Sequence, residues 1–229
     1  PWRPSTGVTE SGLAIISLEN SQLTYEKKHE VNVGIDMGLL NDRINLGVDW
    51  YRRDNFDLIG VTNTQGGGGE TLKYGNVASM KSTGWEVTLS TTNIKTKDFT
   101  WNMDFIYSHV NNEITKLFSN KRAIDMVSGN GFGAEGYPAR SIFSFDFQGL
   151  NSEGIPQFIN EDGVLTTTDI DFQERNNLGH LVYSGSADPT DVGSFGNTFS
   201  YKGFKLSVFM TYSFGNVIRM DPVFKKSYS

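Results

Sequence analysis

The chain contains no cysteine, which excludes disulfide bonds, thiolate metal sites and cysteine nucleophiles. It also lacks any apolar run near the roughly 18 residues that a membrane-spanning helix needs. Its net charge is −6, and because phosphate binding requires a basic surface, nucleic acid is not an expected partner. The three histidines, His29, His109 and His180, are scattered and give no paired zinc-ligand spacing. No cofactor or metal is therefore expected.

The sequence is instead rich in segments where apolar and polar residues alternate. Odd positions of 31–39 and even positions of 44–50 are apolar, and the pattern returns at 85–89, 101–107 and 204–212. A period of two gives an extended strand one apolar face and one polar face. The polar faces carry small residues together with four acids, Asp36, Asp49, Glu86 and Asp104. This combination indicates a sheet with lipid on one side and water on the other.

Links between the predicted strands alternate in length. Hairpins are expected near 30–53, 84–110 and 193–214, with short turns at 41–42, 95–98 and 201–203 and long excursions at 60–75 and 119–191. All short turns then lie at one edge of the sheet and all long loops at the other, as in outer-membrane barrels. We predict an all-β fold of antiparallel up-and-down strands forming part of a large transmembrane β-barrel with long extracellular loops. No α-helix is predicted.

Aromatic residues lie towards the ends of the predicted strands. They fit two interfacial girdles that hold a barrel in lipid. The alternative is the rim of an ordinary β-sandwich core. The residues assigned to the girdles are Trp50, Trp85, Trp101, Tyr107, Tyr201 and Tyr212.

Motifs for covalent chemistry are missing. The sequence has no G-x-S-x-G nucleophile elbow, and the glycine run 66–69 is not followed by the residues of a phosphate-binding loop. A loop cluster of acids does not have the spacing of an EF-hand and is read as solvated carboxylates; it comprises Glu161, Asp162, Asp169 and Asp171. We predict no catalytic, cofactor-binding or metal-binding residues, and the sequence does not identify those that bind substrate.

Several phrases along residues 20–220 appear in a fixed order. They are Glu30-Val-Asn-Val-Gly-Ile-Asp36, Asp49-Trp-Tyr-Arg-Arg53 followed by Asp57-Leu58-Ile59, Gly75-Asn76-Val77 leading to Ser82-Thr-Gly-Trp-Glu-Val87, Glu135-Gly-Tyr-Pro138, Gly149-Leu-Asn-Ser-Glu-Gly-Ile-Pro-Gln-Phe158, Gly185-Ser-Ala-Asp-Pro189 and Phe199-Ser-Tyr-Lys-Gly-Phe-Lys-Leu-Ser207. In order and spacing this set resembles the barrel of the SusC/RagA family of TonB-dependent outer-membrane transporters.

The resemblance implies the outer membrane of a Gram-negative bacterium and the later part of a barrel of about 22 strands. Residues 1–229 would form a partial barrel domain without the TonB box, plug domain or signal peptide, so we expect an internal piece of a longer polypeptide. The implied partners are a SusD-like surface lipoprotein, expected to contact 119–191, outer-membrane lipid, and TonB–ExbB–ExbD acting through parts outside this chain. The implied cargo is a glycan or a peptide, and no enzymatic activity is implied.

Two other classes of protein remain open at this point. One is a soluble cell-surface β-sandwich that binds carbohydrate through exposed aromatic residues. The other is a β-rich glycosidase, which needs two carboxylates at a defined separation; Asp49 and Glu86 are available, although nothing singles them out. The importer hypothesis differs from both, because it requires the apolar faces of 31–39 and 44–50 to meet no other part of the protein.

Overall fold

The computed structural model describes residues 20–63, 72–118 and 121–220. The apolar run Leu13-Ala14-Ile15-Ile16, whose composition is typical of a short strand, and the glycine-rich tip at 66–69 lie outside these described residues. Within them, six strands form one antiparallel sheet in the order β1-β2-β3-β4-β9-β10, which is open at β1 and β10. The strands are β1 (Lys27–Leu39), β2 (Ile44–Asn63), β3 (Leu72–Lys95), β4 (Phe99–Leu117), β9 (Asp191–Tyr201) and β10 (Phe204–Phe214). We call this sheet the wall. Its antiparallel all-β character confirms the predicted fold class.

The short links of the wall all lie along one edge, which we call the turn edge. They connect β1 to β2 through residues 40–43, β3 to β4 through 96–98, and β9 to β10 through 202–203. Lys202 and Gly203 both have positive φ, at 44° and 90°, which is the requirement of a two-residue hairpin turn matching the strand twist. The opposite edge, where the long connections emerge, is the loop edge.

The excursion predicted at 60–75 is much shorter than expected. β2 runs to Asn63 and β3 starts at Leu72, and these two residues are partners at the end of the shared ladder. The sequence suggests a loop here because of its glycine-rich stretch, and predicts that β2 continues only through Leu58 and Ile59. Within β2, Asp57 has a φ of +57°. A register shift between Asn55 and Leu58 displaces the pattern without ending the strand.

The long connection from β4 to β9 folds as a unit, the loop module, formed by residues 121–190. It contains a second sheet in the order β7-β6-β5-β8. Its strands are β5 (Ser141–Leu150), β6 (Pro156–Ile159), β7 (Leu165–Thr166) and β8 (Leu181–Ser186). The expectation of no helix was wrong, because α1 spans Ala123–Val127. Five residues are too few for a 3.6-residue period to be recognised.

The loop module has a small core of its own. Met126, Ala134 and Phe143 are buried together, with Leu178 and Leu181 packed against them. Helix α1 begins where the amide of Ala123 donates to the Glu174 carbonyl oxygen at 2.9 Å. Among the residues described, no helix has the length and apolar character needed to cross a membrane.

Candidate functional site: a two-faced wall and its loop module

One face of the wall is apolar and is not covered by other parts of the described chain. Partnered residues in adjacent strands point to the same side of a sheet, so the register defines this face. In β1, Val33 and Ile35 are 59% and 61% exposed, and in β10 Leu206 is 62% exposed. The same face passes through β2, β3, β4 and β9 by direct partnering, for example Met37↔Leu46↔Leu89↔Phe105↔Phe195↔Met210. A sandwich would have buried these residues against a second sheet.

The other face carries the four acids that alternate with those apolar residues. Asp49 and Glu86 are direct cross-strand partners, and like charges in that position repel unless water solvates them. Asp49 reaches across the bare backbone of Gly34, where a side chain would collide with its carboxylate. Asp104 accepts a hydrogen bond from Ser90 Oγ at 2.8 Å. Within the described ranges Asp36, Asp49, Glu86 and Asp104 form no ion pair, so this face requires water.

Towards the loop edge, aromatic residues cross the apolar face in neighbouring strands. Trp50 and Trp85 are direct partners, 44% and 40% exposed. The rings of Trp85 and Tyr107 have centroids 4.9 Å apart. The Tyr107 hydroxyl donates to Asp191, whose carboxylate also lies 2.8 Å from His109 Nδ1. These contacts tie β2, β3, β4 and β9 together at one level of the wall.

A second aromatic level lies near the turn edge. Trp101 stacks on Phe199 with centroids 5.7 Å apart and donates its indole N–H to Asn197 Oδ1 at 2.8 Å. Tyr201 is 52% exposed and directly precedes the turn between β9 and β10. Of the six aromatic residues predicted from sequence, Tyr212 belongs with the first level, since it and Tyr107 both partner Gly193.

The spacing of the two levels fits a lipid bilayer. Trp101 and His109, eight residues apart in β4, span about 27 Å along an extended strand and about 20 Å across a wall tilted by roughly 40°. Past Trp50, the next two residues of β2 on the same face are charged. They are Arg52 and Asp54, whose side chains form an ion pair at 2.9 Å. An apolar band in a transmembrane barrel is about 25 Å tall.

Three glycines of the wall lie directly opposite an aromatic residue. The pairs are Gly84 with Tyr51, Gly193 with Tyr212, and Gly196 with Phe209. A side chain at any of these glycines would meet the ring of its partner. In each pair, the aromatic ring packs over the backbone of the glycine, which has no side chain of its own to cover it.

The acids predicted to lie in a loop bind backbone amides of the loop module. Glu161 accepts from the amide of Asp171, and Asp171 accepts from that of Gln173 at 2.8 Å. Hydrogen bonds from the backbone amides of Asn177, Asn176 and Arg175 lower the pKa of Glu174. No group of three or more potential metal ligands occurs in the described part of the chain.

The remaining acids and histidines of the sequence prediction are not brought together. Asp162 lies within a turn built on buried Asn160, and the side-chain amide of Asn160 donates to the Asp169 carbonyl oxygen at 3.2 Å. His29 lies edge-on to Phe56 in the wall, and His180 stacks on Phe145 in the loop module.

The loop module covers the part of β4 that extends past β9. β9 begins at Asp191, opposite His109, whereas β4 continues to Leu117. The freed edge of β4 is taken by the module: Ile114 donates its amide to the Tyr137 carbonyl at 2.9 Å, and Gly136 donates to the Ile114 carbonyl at 2.8 Å. Covering this edge removes unpaired backbone groups that would otherwise recruit another strand.

Sequence reasoning missed Asn76 as a residue that holds the loop edge together. Its side-chain amide donates to the carbonyl oxygens of Thr24 and Asp57, and its Oδ1 accepts from the Thr24 amide at 2.8 Å. These bonds connect the segment before β1, at Thr24, to the irregular part of β2 around Asp57. The only signal was its place in the phrase Gly75-Asn76-Val77.

An apolar band between two aromatic levels, with an acidic face on the reverse side, is the arrangement typical of the wall of a membrane β-barrel. The chain belongs to the family described as TonB dependent receptor-like, beta-barrel, which matches residues 2–221. That family consists of receptors and transporters rather than enzymes.

Relatives agree with this assignment. The chain is 27% identical to TonB-dependent receptor P39 of Formosa agariphila over 92% of this chain and 24% of that protein. It is 29% identical to TonB-dependent receptor SusC of Bacteroides thetaiotaomicron over 88% of this chain and 21% of that protein. The solved structure of the RagAB peptide transporter superimposes with a TM-score of 0.71 at 28% identity, covering 89% of this chain and 23% of the matched chain. The chain thus spans about a quarter of the length of these relatives.

Proposed function

We propose that the longer protein imports a nutrient across the outer membrane of a Gram-negative bacterium, and that this chain forms part of its barrel wall. The observation that carries the proposal is the two-faced wall. Its apolar band faces no described part of the protein, while Asp49 and Glu86 oppose each other on the reverse side. The first face suits lipid, and the second suits an aqueous lumen through which a polar cargo passes.

The two aromatic levels would hold the wall at its depth in the membrane. Indole and phenol rings favour the bilayer interface because one end is apolar and the other binds water. The residues proposed for the level at the loop edge are Trp50, Trp85, Tyr107 and Tyr212, and those at the turn edge are Trp101 and Tyr201. Brominated lipids that quench near the interface should quench these tryptophans more than lipids brominated at the chain ends.

The loop module would then lie on the extracellular side, at the mouth. Its exposed apolar side chains suit contact with a SusD-like surface lipoprotein; they include Phe147, Leu150, Ile155, Leu165 and Phe172. The cargo would be an oligosaccharide or a peptide, and the similarity to a peptide transporter supports the second as a candidate. Energy would come from TonB–ExbB–ExbD through parts of the protein outside this chain.

The alternatives are less well supported. A soluble carbohydrate-binding sandwich would need a second sheet over Val33, Ile35 and Leu206, which are exposed. A glycosidase would need Asp49 and Glu86 to flank a substrate, but they are adjacent on an open wall.

The proposal is tested by disrupting the gene for the longer protein in its host and measuring uptake of labelled oligosaccharides and labelled peptides. Uptake of one class should fall to background, return on complementation, and be abolished equally by deletion of tonB. The protein should be recovered in the outer-membrane fraction. Recovery as a soluble protein, or uptake independent of both genes, would reject the proposal.

A further inference from the structure

The segment that follows β10 contacts the loop module through hydrogen bonds and apolar packing. This segment, residues 215–220, is here called the strap. The amide of Val217 donates to the Ser186 carbonyl oxygen at 2.7 Å. The Arg219 guanidinium donates through Nη2 to the Phe143 carbonyl at 2.8 Å and through Nε to the Gly129 carbonyl at 3.1 Å. One side chain thus joins the strap to two separate parts of the module.

Shape complementarity accompanies these hydrogen bonds. Gly185 has φ +137°, and a Cβ added there would lie 2.9 Å from Val217 Cγ1. The isopropyl group of Val217 therefore rests on bare backbone of β8. Ile142 and Ala187 of the module line the same cleft as Val217 and Arg219. A glycine in this conformation, met by a branched side chain, indicates a fitted contact.

A second arginine, Arg140 of the module, donates to the carbonyl group next to the one that Arg219 binds at Gly129. Arg140 donates through Nη2 to the Asn130 carbonyl oxygen at 3.1 Å, and its Nη1 pairs with Asp188 at 2.6 Å. Gly129 and Asn130 are therefore bound by guanidinium groups from the strap and from the module respectively. The strap is the continuation of β10, and the module is also hydrogen-bonded to β4. Because β4 and β10 are the two neighbours of β9 in the sheet, the module is attached to the wall on both sides of β9.

We propose that Arg219 is a positioning residue that fixes the loop module at the mouth of the barrel. Hydrogen bonds from a charged donor to carbonyl oxygens are stronger than neutral ones, so Arg219 is the main polar link of the strap. Without it, the module keeps its hydrogen bonds to β4 and its covalent link to β9, and moves relative to β10. The consequence for import rests on the proposed function, whereas the contact itself does not.

The test uses the full-length protein purified in detergent and compares it with Arg219→Ala, Arg219→Lys and Arg175→Ala. Amide hydrogen exchange in segments 129–143 and 181–190 should accelerate roughly tenfold to a hundredfold in Arg219→Ala, as expected for losing a charged hydrogen bond. Arg219→Lys should restore part of the protection, because an ammonium group can still donate to a carbonyl oxygen. Arg175→Ala, an exposed arginine of the module, should leave exchange unchanged.

A distance measurement provides the second readout. Spin labels on Ser152→Cys in the module and Lys205→Cys near the turn edge report their relative position, and this chain has no cysteine of its own. The distance distribution should broaden in Arg219→Ala and narrow again in Arg219→Lys. Unchanged exchange and distances in Arg219→Ala would overturn the inference, as would an equal rise of exchange throughout β9 and β10. Neither readout needs cargo or TonB, so failure of the proposed import leaves this test valid.

Discussion

At the scale of single residues, the glycines of the wall are set by their partners across the sheet. Gly84 lies under the ring of Tyr51, which is only 5% exposed, and a Cβ at Gly84 would lie 2.6 Å from the backbone oxygen of His109. Backbone oxygen cannot move aside as a flexible side chain does. The position is therefore closed to any larger residue.

Gly84→Ala should destabilise the longer protein by about 1–3 kcal/mol, the usual cost of overpacking a filled site. Denaturant unfolding in detergent, followed by loss of tryptophan fluorescence, measures this change. Gly179→Ala is the matched control, because a Cβ there meets only Asn177 Oδ1 at 3.8 Å. Equal effects of the two substitutions would show that the Tyr51 contact does not constrain Gly84.

Residue-level contacts were only partly accessible from the sequence. Ile106 and Phe209 are apolar residues at positions that the alternation places on the polar face, and both are exposed there. Phe209 lies opposite Gly196, and this pairing could not be foreseen because it depends on the register of β9 with β10. Arg219 gave no signal either, because its acceptors are carbonyl groups, which every residue has.

At the scale of strands, alternation predicted the paired faces well wherever the register was uninterrupted. It underestimated β2, because the shift between Asn55 and Leu58 changes which residues lie on the apolar face and which lie on the polar face. A pattern with a period of two cannot be followed through such an irregularity. Alternation at Phe143, Phe145 and Phe147 indicated the hairpin of β5 and β6, which the structure contains. Strands β7 and β8 and the helix of the loop module were beyond its reach, since contacts distant in sequence define them.

The apolar band makes the wall sensitive to charge on one face only. Leu89→Lys places an ammonium group at the centre of the proposed lipid face and should cost about 2–4 kcal/mol. Thr88→Lys, one residue earlier and on the exposed water-facing side, is the control and should cost little. Urea unfolding of the longer protein in lipid vesicles compares the two. A similar cost for both would contradict the assignment of faces.

At the scale of the molecule, the wall is open in the described residues. Both edges, β1 and β10, are strongly exposed, and all 13 residues of β1 are exposed to solvent. An exposed apolar strand edge recruits other strands. A barrel of about 22 strands, expected from the family resemblance, would remove both edges by closure.

Expressed alone, residues 1–229 should therefore aggregate in buffer, and the longer protein should insert into vesicles as a monodisperse species. Light scattering and flotation with lipid measure the two outcomes. Replacing Val33 and Ile35 with serine should reduce aggregation of the isolated segment, because these side chains are among the most exposed apolar ones of β1. A soluble monomer without detergent would favour the sandwich alternative.

The difference in length between β4 and β9 bears on how such proteins diversify. Two hydrogen bonds between the module and the freed edge of β4 join main-chain atoms of Ile114, Gly136 and Tyr137, and such bonds place few demands on side-chain identity. A third uses the side chain of Asn112, which accepts from the Ala139 amide at 3.0 Å. The pairing of β4 with β9 runs without a register shift from His109 and Asp191 to Phe99 and Tyr201, beside the turn at 202–203. None of these pairs involves the module. Under the proposed function, importers that share the β4–β9 ladder can therefore carry different inserts and take up different nutrients.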